Sequence, residues 1–481
     1  MADNMQQASQ WGLEVNPTDR WETLHYKSLE DLHSIPQAEL EHIAIDGIRS
    51  RFAELRPQLP MLDRLADEQG VTEIFEVNDA AKLLFQHSVY KSYPVSFVEK
   101  AQFDRLTKWL GGLTTVDLSQ LDLNGIETID DWIDLLDAET PIRIVHSSGT
   151  SGKLSFLPRS TKETDLMVQG WRLLHEDAFA VLGADAPKLD EVPIIYPGYR
   201  TAAMAQQRML NRIVESVFSG DRTMLIALNE NRMSADAVSL GGRLQVGSQK
   251  GERGEVRLSP TLLARRDELI RSMTEAPNRM ADFIAGVAKS HAGRSVAMLS
   301  MVGQLYNIAK AATSNGLSRV FSPHSNIMFG GGWKGATPPE NWEAAITEFL
   351  GVEDLRMGYG MTECIAATRS CEHGHYHLYP FHIPFLLDPV TGHPYPRHGT
   401  QTGRLGVFDL GATTYWGGFL SGDKVTLSYD ACACGRTTPT LLKDSISRYT
   451  EEEGGDDKIN CAGAPEAHEN ALAYLLASAE N

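Results

Sequence analysis

Residues 143–154 read Arg143-Ile-Val-His-Ser-Ser-Gly-Thr-Ser-Gly-Lys-Leu154, and an apolar run breaks here into hydroxyls and glycines. Glycine lets the backbone approach an anion because it has no Cβ, hydroxyls donate hydrogen bonds, and lysine adds positive charge. The stretch therefore predicts an apolar strand that leads into a phosphate-binding loop. The loop residues are Ser147, Ser148, Gly149, Thr150, Ser151, Gly152 and Lys153.

Two other classes of loop do not fit this stretch. A Walker A loop needs glycine where this chain has Ser147, and serine or threonine where it has Leu154. The nucleophile elbow of serine hydrolases is absent around Ser151, and no S-x-x-K pattern aligns with Lys153. The loop alone is also compatible with a flexible surface segment, so its interpretation depends on a second motif.

That second motif is Met357-Gly-Tyr-Gly-Met-Thr-Glu363. It ends with a hydroxyl beside a carboxylate, a pair suited to one phosphate oxygen and one Mg²⁺ ion. The two segments together predict ATP chemistry.

Four segments of this chain resemble, in the same order, four motifs of the adenylate-forming (acyl-adenylate) ligases. The loop at 147–153 resembles their phosphate loop, and Gly358–Glu363 is similar to their second ATP motif. Phe329-Gly-Gly-Gly-Trp-Lys334 resembles their adenine-binding turn, and Leu420-Ser-Gly-Asp423 resembles the motif whose aspartate holds both ribose hydroxyls. The ordered set is more specific than any single motif.

Finer details are similar to one branch of this superfamily. Gly331–Lys334, Trp416–Asp423 and Cys432–Arg436 resemble the acyl-protein synthetases, with the phenylacetate-CoA ligases as close relatives. The resemblance implies an α/β fold with a layered α/β/α large domain. We expect a mainly helical region at 1–140, an ATP-binding adenylation core at 141–448, and a hinge with a short lid remnant at 449–481.

The resemblance also implies a role for each motif. A carboxylate attacks the α-phosphate of ATP, and the crowded negative charge needs Mg²⁺ and fixed donors. The loop at 147–153 would hold the β- and γ-phosphates, Thr362 would bond the α-phosphate, and Glu363 would ligate Mg²⁺. The remaining nucleotide contacts would come from Gly330, Gly331 and Gly332 at the adenine, Gly358, Tyr359 and Gly360 in the second motif, Asp423 at the ribose, and either Arg436 or Arg448 at the ribose or phosphate.

The C-terminal part departs from the family pattern. Gly455-Asp-Asp-Lys-Ile-Asn460 resembles the hinge that usually precedes a mobile lid domain of about a hundred residues. We therefore expect a truncated lid, whose lysine is missing or is replaced by Lys334, by Lys458 or by a residue of a partner subunit. The acyl-protein synthetase resemblance implies that Cys461 accepts the acyl group as a thioester, whereas a small buried hydrophobe is the other interpretation.

Two short clusters predict a metal site. Cys371-Glu-His-Gly-His-Tyr-His377 offers one thiol and three imidazoles, and Cys432-Ala-Cys434 offers two thiols. Such clusters suit a tetrahedral structural Zn²⁺. The resemblance to phenylacetate-CoA ligases implies Cys371, either His375 or His377, Cys432 and Cys434 as ligands. The alternative is that the thiols are core residues and the histidines lie on the surface.

Composition limits the class of protein. The chain has 481 residues, 42% of them hydrophobic, which is enough for a large core. A net charge of −19 argues against nucleic-acid binding. No leader pattern or bilayer-length apolar run is present, and five cysteines suggest free thiols or a metal in a reducing compartment. We expect a cytoplasmic protein with no membrane partner.

Hydrophobic periodicity predicts helices in the first 140 residues and alternating strands and helices after Ile142, which favours layered α/β. The specific predictions are helices at Gln37–Phe52, Asp130–Leu136 and Ala281–Ala288, strands at Val192–Tyr196 and Thr223–Leu228, and an exposed loop or hairpin at Gly241–Arg257.

The sequence therefore predicts an ATP-dependent ligase that forms acyl- or aryl-AMP and passes the acyl group to a thiol of a protein or of coenzyme A. An amide-forming ligase, an amidase-type hydrolase and a nucleotide-binding subunit that docks an acyl-CoA reductase are the alternatives. Tyr196–Tyr199 and Phe381–Phe385 are candidates for the pocket of a fatty or aromatic acid, or for core residues. The identity of the acid and the oligomeric state stay open.

Overall fold

The structure is a computed structural model, and it describes residues 1–13, 20–86, 88–147, 153–249, 266–333 and 337–449. For 244–249 and 266–278 the description covers the backbone alone.

The α-helices among these residues are α1 Ala2–Gln10, α2 Leu29–His33, α3 Gln37–Leu55, α4 Pro60–Glu68, α5 Val95–Glu99, α6 Phe103–Gly111, α7 Ile129–Glu139, α8 Thr161–Phe179, α9 Ala205–Ser216, α10 Ala235–Gln249, α11 Arg266–His291, α12 Val302–Ser314 and α13 Trp342–Leu350. Within the described segments, no helix has both the length and the apolarity that a bilayer crossing requires.

The strands are β1 Phe85–Gln86, β2 Ile142–His146, β3 Phe156–Ser160, β4 Ile194–Thr201, β5 Leu225–Arg232, β6 Ala297–Met301, β7 Asn326–Gly330, β8 Gly358–Tyr359, β9 Thr368–Arg369, β10 Tyr376–His377, β11 His382–Leu387, β12 Thr400–Asp409, β13 Gly418–Ser428, β14 Thr440–Leu441 and β15 Ser447–Arg448.

A parallel sheet with strand order β5-β4-β6-β7 forms the middle layer of an α/β/α sandwich. Side chains alternate across its strands, so Ile194 packs into one hydrophobic cluster and Ile195 into another. Helices α8 and α9 contribute to the first cluster, and α11, α12 and α13 to the second. Apolar side chains on both faces explain why this sheet is buried between helices.

A second sheet, with order β10-β14-β13-β12-β11, is antiparallel along that path. Its long strands β12 and β13 pack against the N-terminal helices, and Trp109, Trp132 and Trp416 are buried in their shared core. The short strand β1 joins the sheet by pairing in parallel with Phe419–Leu420. Strand β15 pairs antiparallel with β13 and places Arg448 opposite Asp423.

The predicted α/β class, the layered arrangement and most elements are confirmed. Helices cover Gln37–Phe52, Asp130–Leu136 and Ala281–Ala288. Both predicted strands are present but shifted by two residues at their starts. The second one starts late because Asp221 accepts a hydrogen bond from the Thr223 backbone N–H, 2.9 Å long, which caps a short 3₁₀ turn.

The loop predicted at Gly241–Arg257 is wrong over 241–249, where α10 continues, and 250–257 lie outside the described residues. Glycine in a helix costs roughly 1 kcal/mol, but tertiary contacts can override that preference. Here the start of α10 is fixed by buried carboxylates. Asp130 accepts from the Ala235 N–H at 2.9 Å, and Asp236 accepts from the N–H groups of Ile129 and Asp130 at 3.0 and 2.9 Å.

Candidate active site and metal centre

The phosphate-loop segment joins the two strands of an antiparallel hairpin. Strands β2 and β3 pair from Ile142 with Ser160 to His146 with Phe156. The Ser147 N–H donates to the Ser155 carbonyl at 3.2 Å, and the Ser147 hydroxyl accepts from the Ser155 N–H at 3.0 Å. Ser148, Gly149, Thr150, Ser151 and Gly152 lie outside the described residues. The apolar strand predicted before the loop is β2, and its pairing with β3 is a feature that the sequence analysis did not predict.

Lys153 stands at the far end of this loop and is half-buried. Its Nζ lies 4.5 Å from the centroid of the Tyr93 ring, a cation–π contact. Burial, and then the neighbouring charge of Lys91, lower the pKa of Lys153 to about 8. The amine therefore changes charge near neutral pH, and an anion beside it would favour the protonated form.

The glycine turn after β7 lies against the second ATP motif. A Cβ on Gly330 would stand 2.6 Å from the carbonyl oxygen of Gly358, closer than side chains approach backbone. Gly331 has a φ of 77°, in the left-handed region that favours glycine. A backbone bridge between Phe329 and Met357 continues the contact. The two motifs thus share one edge of the parallel sheet.

The second ATP motif also contacts the ribose motif. The Tyr359 hydroxyl donates to Asp423 Oδ2 at 2.8 Å. Arg448 Nε lies 3.7 Å from Asp423 Oδ1, and β15 holds that arginine opposite the aspartate. Arg436 lies elsewhere, because its Nη2 donates to Asp177 Oδ1 at 2.6 Å. Of the two arginines left open by the sequence, Arg448 is the one beside Asp423.

Glu363 is half-buried beside these groups. Burial is the main cause that raises the pKa of its carboxyl, and Asp423 adds to the effect, while Arg159 and Arg448 oppose it. A carboxylate in this setting fits Mg²⁺, since a divalent cation beside it would favour its ionised form. Within the described residues, no hydrogen bond links the side chains of Thr362 or Glu363 to another residue.

The predicted metal ligands lie close together, around strand β10 and in the segment between β13 and β14. The ligand atoms of Cys371, His377, Cys432 and Cys434 lie within 4.8 Å of one another. Cys434 Sγ is 3.2 Å from His377 Nε2, and His377 Nδ1 is 3.1 Å from the Thr440 hydroxyl. One hydroxyl therefore orients the imidazole toward the thiols, as partners of metal-bound histidines do.

His375 is outside this cluster, because its Nδ1 accepts the Lys443 backbone N–H at 2.9 Å. Burial, and then Arg436, lower the pKa of His377 to about 4, which keeps the imidazole neutral. Burial also raises the pKa of Cys434 to about 12, with the nearby thiols adding to the effect. Three thiols and a neutral imidazole at this spacing fit tetrahedral Zn²⁺.

A second set of buried donors was not found from the sequence. Cys364, His382 and Asp409 place their ligand atoms within 4.8 Å of one another. Burial alone raises the pKa of Asp409, but His382, His25 and the Ile365 N–H outweigh it and hold the pKa at about 2. Because this carboxylate already has partners for its charge, we interpret the set as a charge-balanced core cluster.

Other candidate residues lie outside the described part of the chain. Lys334, Lys458, Cys461 and the hinge segment Gly455–Asn460 are among them.

No family model matches this chain. Phenylacetate-coenzyme A ligase of Thermus thermophilus is 34% identical over 115 residues, which cover 20% of this chain and 24% of that protein. The match spans about a quarter of the length of this curated relative.

Two crystal structures of a 2-hydroxyisobutyryl-CoA ligase share the fold. One, in the postadenylation state, covers 91% of this chain and 72% of its own at 12% identity, with a TM-score of 0.52. The other, with 2-HIB-AMP and CoA in the thioesterification state, covers 90% and 72% at 13% identity, with a TM-score of 0.51. The chain therefore has the adenylate-forming ligase fold. Part of the chain is similar in sequence to phenylacetate-CoA ligase, the resemblance that its motifs predicted.

Metal analysis tests the cysteine–histidine cluster. Protein purified without added metal is expected to contain about one equivalent of zinc, the number that a four-ligand site holds. Cys434→Ser and His377→Ala should lower both the zinc content and the thermal midpoint, because each removes a ligand. His375→Ala is the matched control and should keep its zinc. Equal zinc content in the two histidine variants, or no zinc in the wild type, would contradict the assignment.

Proposed function

We propose that the protein is an ATP-dependent ligase that converts a carboxylic acid to its acyl-AMP and then passes the acyl group to a thiol. The observation that carries this proposal is the hydrogen bond from Tyr359 to Asp423, at 2.8 Å. This bond joins the second ATP motif to the ribose motif, which lies far from it in sequence. The close approach of Gly330 to Gly358 joins the adenine-binding turn to the second ATP motif. This convergence is what a nucleotide that spans all of them requires.

Each element has a task in the first half-reaction. The carboxylate oxygen forms a bond to the α-phosphorus, and pyrophosphate leaves with the electrons of the broken bond. Lys153 neutralises charge on the leaving phosphates, and Thr362 donates to the α-phosphate. Asp423 accepts from the ribose hydroxyls. Mg²⁺ held by Glu363 would supply Lewis-acid stabilisation of the phosphate oxygens.

Coenzyme A is the acceptor that the relatives favour. The structural neighbour in the thioesterification state binds an acyl-AMP compound and CoA, and the sequence relative is named for coenzyme A. A protein thiol, as in acyl-protein synthetases, is the second acceptor of the same chemistry.

A cavity beside the glycine turn is our candidate for the acid pocket. Its volume is about 580 Å³, within the range of small-molecule sites. Met301 and Trp333 line it together with Gly332 of the turn, and Ile308 adds a further apolar wall. Aliphatic and aromatic side chains next to the nucleotide motif suit an acid with an apolar body.

The central experiment is a pyrophosphate-release assay with fatty and aromatic carboxylic acids and no added acceptor. Acid-dependent release together with trapped acyl-AMP supports the proposal. ATP turnover that does not depend on any acid would contradict it.

Glu363→Gln is expected to slow pyrophosphate release by about 10²-fold, the scale of one lost electrostatic contact. The folded state should be as stable as wild type or more stable at neutral pH. Burial raises the pKa of Glu363, so its ionised form costs folding free energy above the unfolded pKa, and glutamine removes that cost. The exposed Glu343→Gln is the control. Wild-type rates in Glu363→Gln would remove Glu363 from the mechanism.

ATP affinity is expected to fall as pH rises through about 8, because free Lys153 loses its proton there while phosphate binding needs the cation. Titration calorimetry across pH 7 to 9.5 measures this. Lys153→Gln should flatten the profile. Lys91→Gln should move it to higher pH, since it removes a charge that lowers the Lys153 pKa. A wild-type profile that is already flat over this range would exclude Lys153 as the titrating group.

Gly303→Phe tests the pocket, because Gly303 lines it and a Cβ there has open space with only Trp333 4.0 Å away. The added ring should raise the KM for an apolar acid at least several-fold and leave the ATP affinity unchanged. Gly286→Phe, at an open exposed position on α11, is the matched control. If both variants keep the wild-type KM, the acid binds elsewhere.

A further inference from the structure

Arg159 follows three apolar residues in its strand, and it is 0% exposed. It lies on β3, the strand that leaves the phosphate loop. Its Nη2 donates to the carbonyl oxygens of Thr362 and Cys364, at 2.7 Å each. One guanidinium thus holds the backbone on both sides of Glu363.

This cation is buried without a direct carboxylate partner among its described hydrogen bonds. Nε lies 3.4 Å from the Tyr415 hydroxyl, and Nη1 lies 3.3 Å from the Met167 sulfur. Burial works against the charge, yet Tyr415 and the carboxylates of Asp409 and Glu163 raise the pKa of Arg159 above its usual value. A buried charge is costly, so a neutral side chain would serve a purely structural core better.

The opposite side of the same loop is held by a buried anion. Asp409 Oδ2 accepts the Ile365 N–H at 2.7 Å, and its other oxygen accepts the Gly411 N–H at 2.9 Å. Segment 362–365 is therefore fixed through three of its backbone groups. Among the described residues, none forms a hydrogen bond with the side chain of Thr362, and none other than Glu363 itself forms one with the Glu363 carboxyl.

We propose that Arg159 is a positioning residue for adenylation. It sets Thr362 and Glu363 at a fixed place relative to β3, with Asp409 as the opposing anchor. The inference rests on the proposed function, because it assigns Arg159 to that reaction's phosphate and metal contacts. A misplacement of about 1 Å can cost roughly 10²-fold in rate, so such an anchor has kinetic consequences.

A purely structural role and a positioning role predict different results. Loss of a core contact lowers the thermal midpoint but leaves the kinetic constants of the remaining folded protein unchanged. Loss of positioning lowers kcat and raises the Mg²⁺ concentration needed for half-maximal rate, even where the fold is retained.

The test compares Arg159→Lys and Arg159→Ala with Arg143→Lys. Arg143 is the cross-strand neighbour of Arg159, and within the described part of the chain its hydrogen bonds go to the nearby carbonyls of Thr140 and Ile142. We expect Arg159→Lys to fold, to lose about 10²-fold in kcat, and to need more Mg²⁺. Millimolar guanidinium should restore part of the rate of Arg159→Ala, with sodium chloride at equal concentration as control. Arg143→Lys should resemble wild type.

Wild-type kcat and Mg²⁺ dependence in Arg159→Lys would overturn the inference, as would an equal loss in Arg143→Lys. If Arg159→Ala does not fold, the kinetics of Arg159→Lys decide alone. A wild type that activates no acid contradicts the proposed function instead. The inference is then tested by the Mg²⁺ dependence of ATP binding in calorimetry. An unchanged dependence in Arg159→Lys overturns it.

Discussion

The close backbone approach of Gly330 and Gly358 is the constraint on which the site depends. A side chain at Gly330 would stand 2.6 Å from the Gly358 carbonyl oxygen, so any Cβ there would push the two segments apart. Because Tyr359 follows Gly358, that displacement would also move the hydroxyl that bonds Asp423. Two glycines therefore decide whether the turn, the second motif and the ribose motif can share one nucleotide.

The short pair of strands β8 and β9 connects the nucleotide motifs with the candidate metal centre. Gly358 pairs with Arg369, and the Thr368 hydroxyl donates to the His377 carbonyl at 2.7 Å. Cys371 follows two residues after β9. A metal that orders this segment would stiffen the strand opposite Gly358, while leaving the chemistry to other residues. Such a coupling would let a structural ion affect nucleotide affinity without any contact to the nucleotide.

Local patterns in the sequence were enough for the layered α/β fold and for most motif positions, because motif order and hydrophobic periodicity are local properties. Local sequence patterns could not decide which of two similar residues belongs to a site, because strand pairing decides it. Arg448 rather than Arg436 lies beside Asp423 because β15 pairs with β13, and His377 rather than His375 meets the thiols because β10 pairs with β14. Arg159 belongs to no motif, and its one signal in the sequence is a charged residue directly after the apolar run Phe156–Pro158.

In the proposed reaction, the negative charges of the site and of the triphosphate link nucleotide binding to Mg²⁺ binding. The chain carries a net charge of −19, and Glu363 and Asp423 face the same site. A triphosphate adds further negative charge, and Lys153 holds its proton weakly, with a pKa of about 8. The two arginines near Glu363, Arg159 and Arg448, lower the pKa of its carboxyl, so their charge already stabilises the ionised form of Glu363. In the proposed reaction the phosphates would therefore need a divalent cation, and each of the two ligands would lower the electrostatic cost of binding the other.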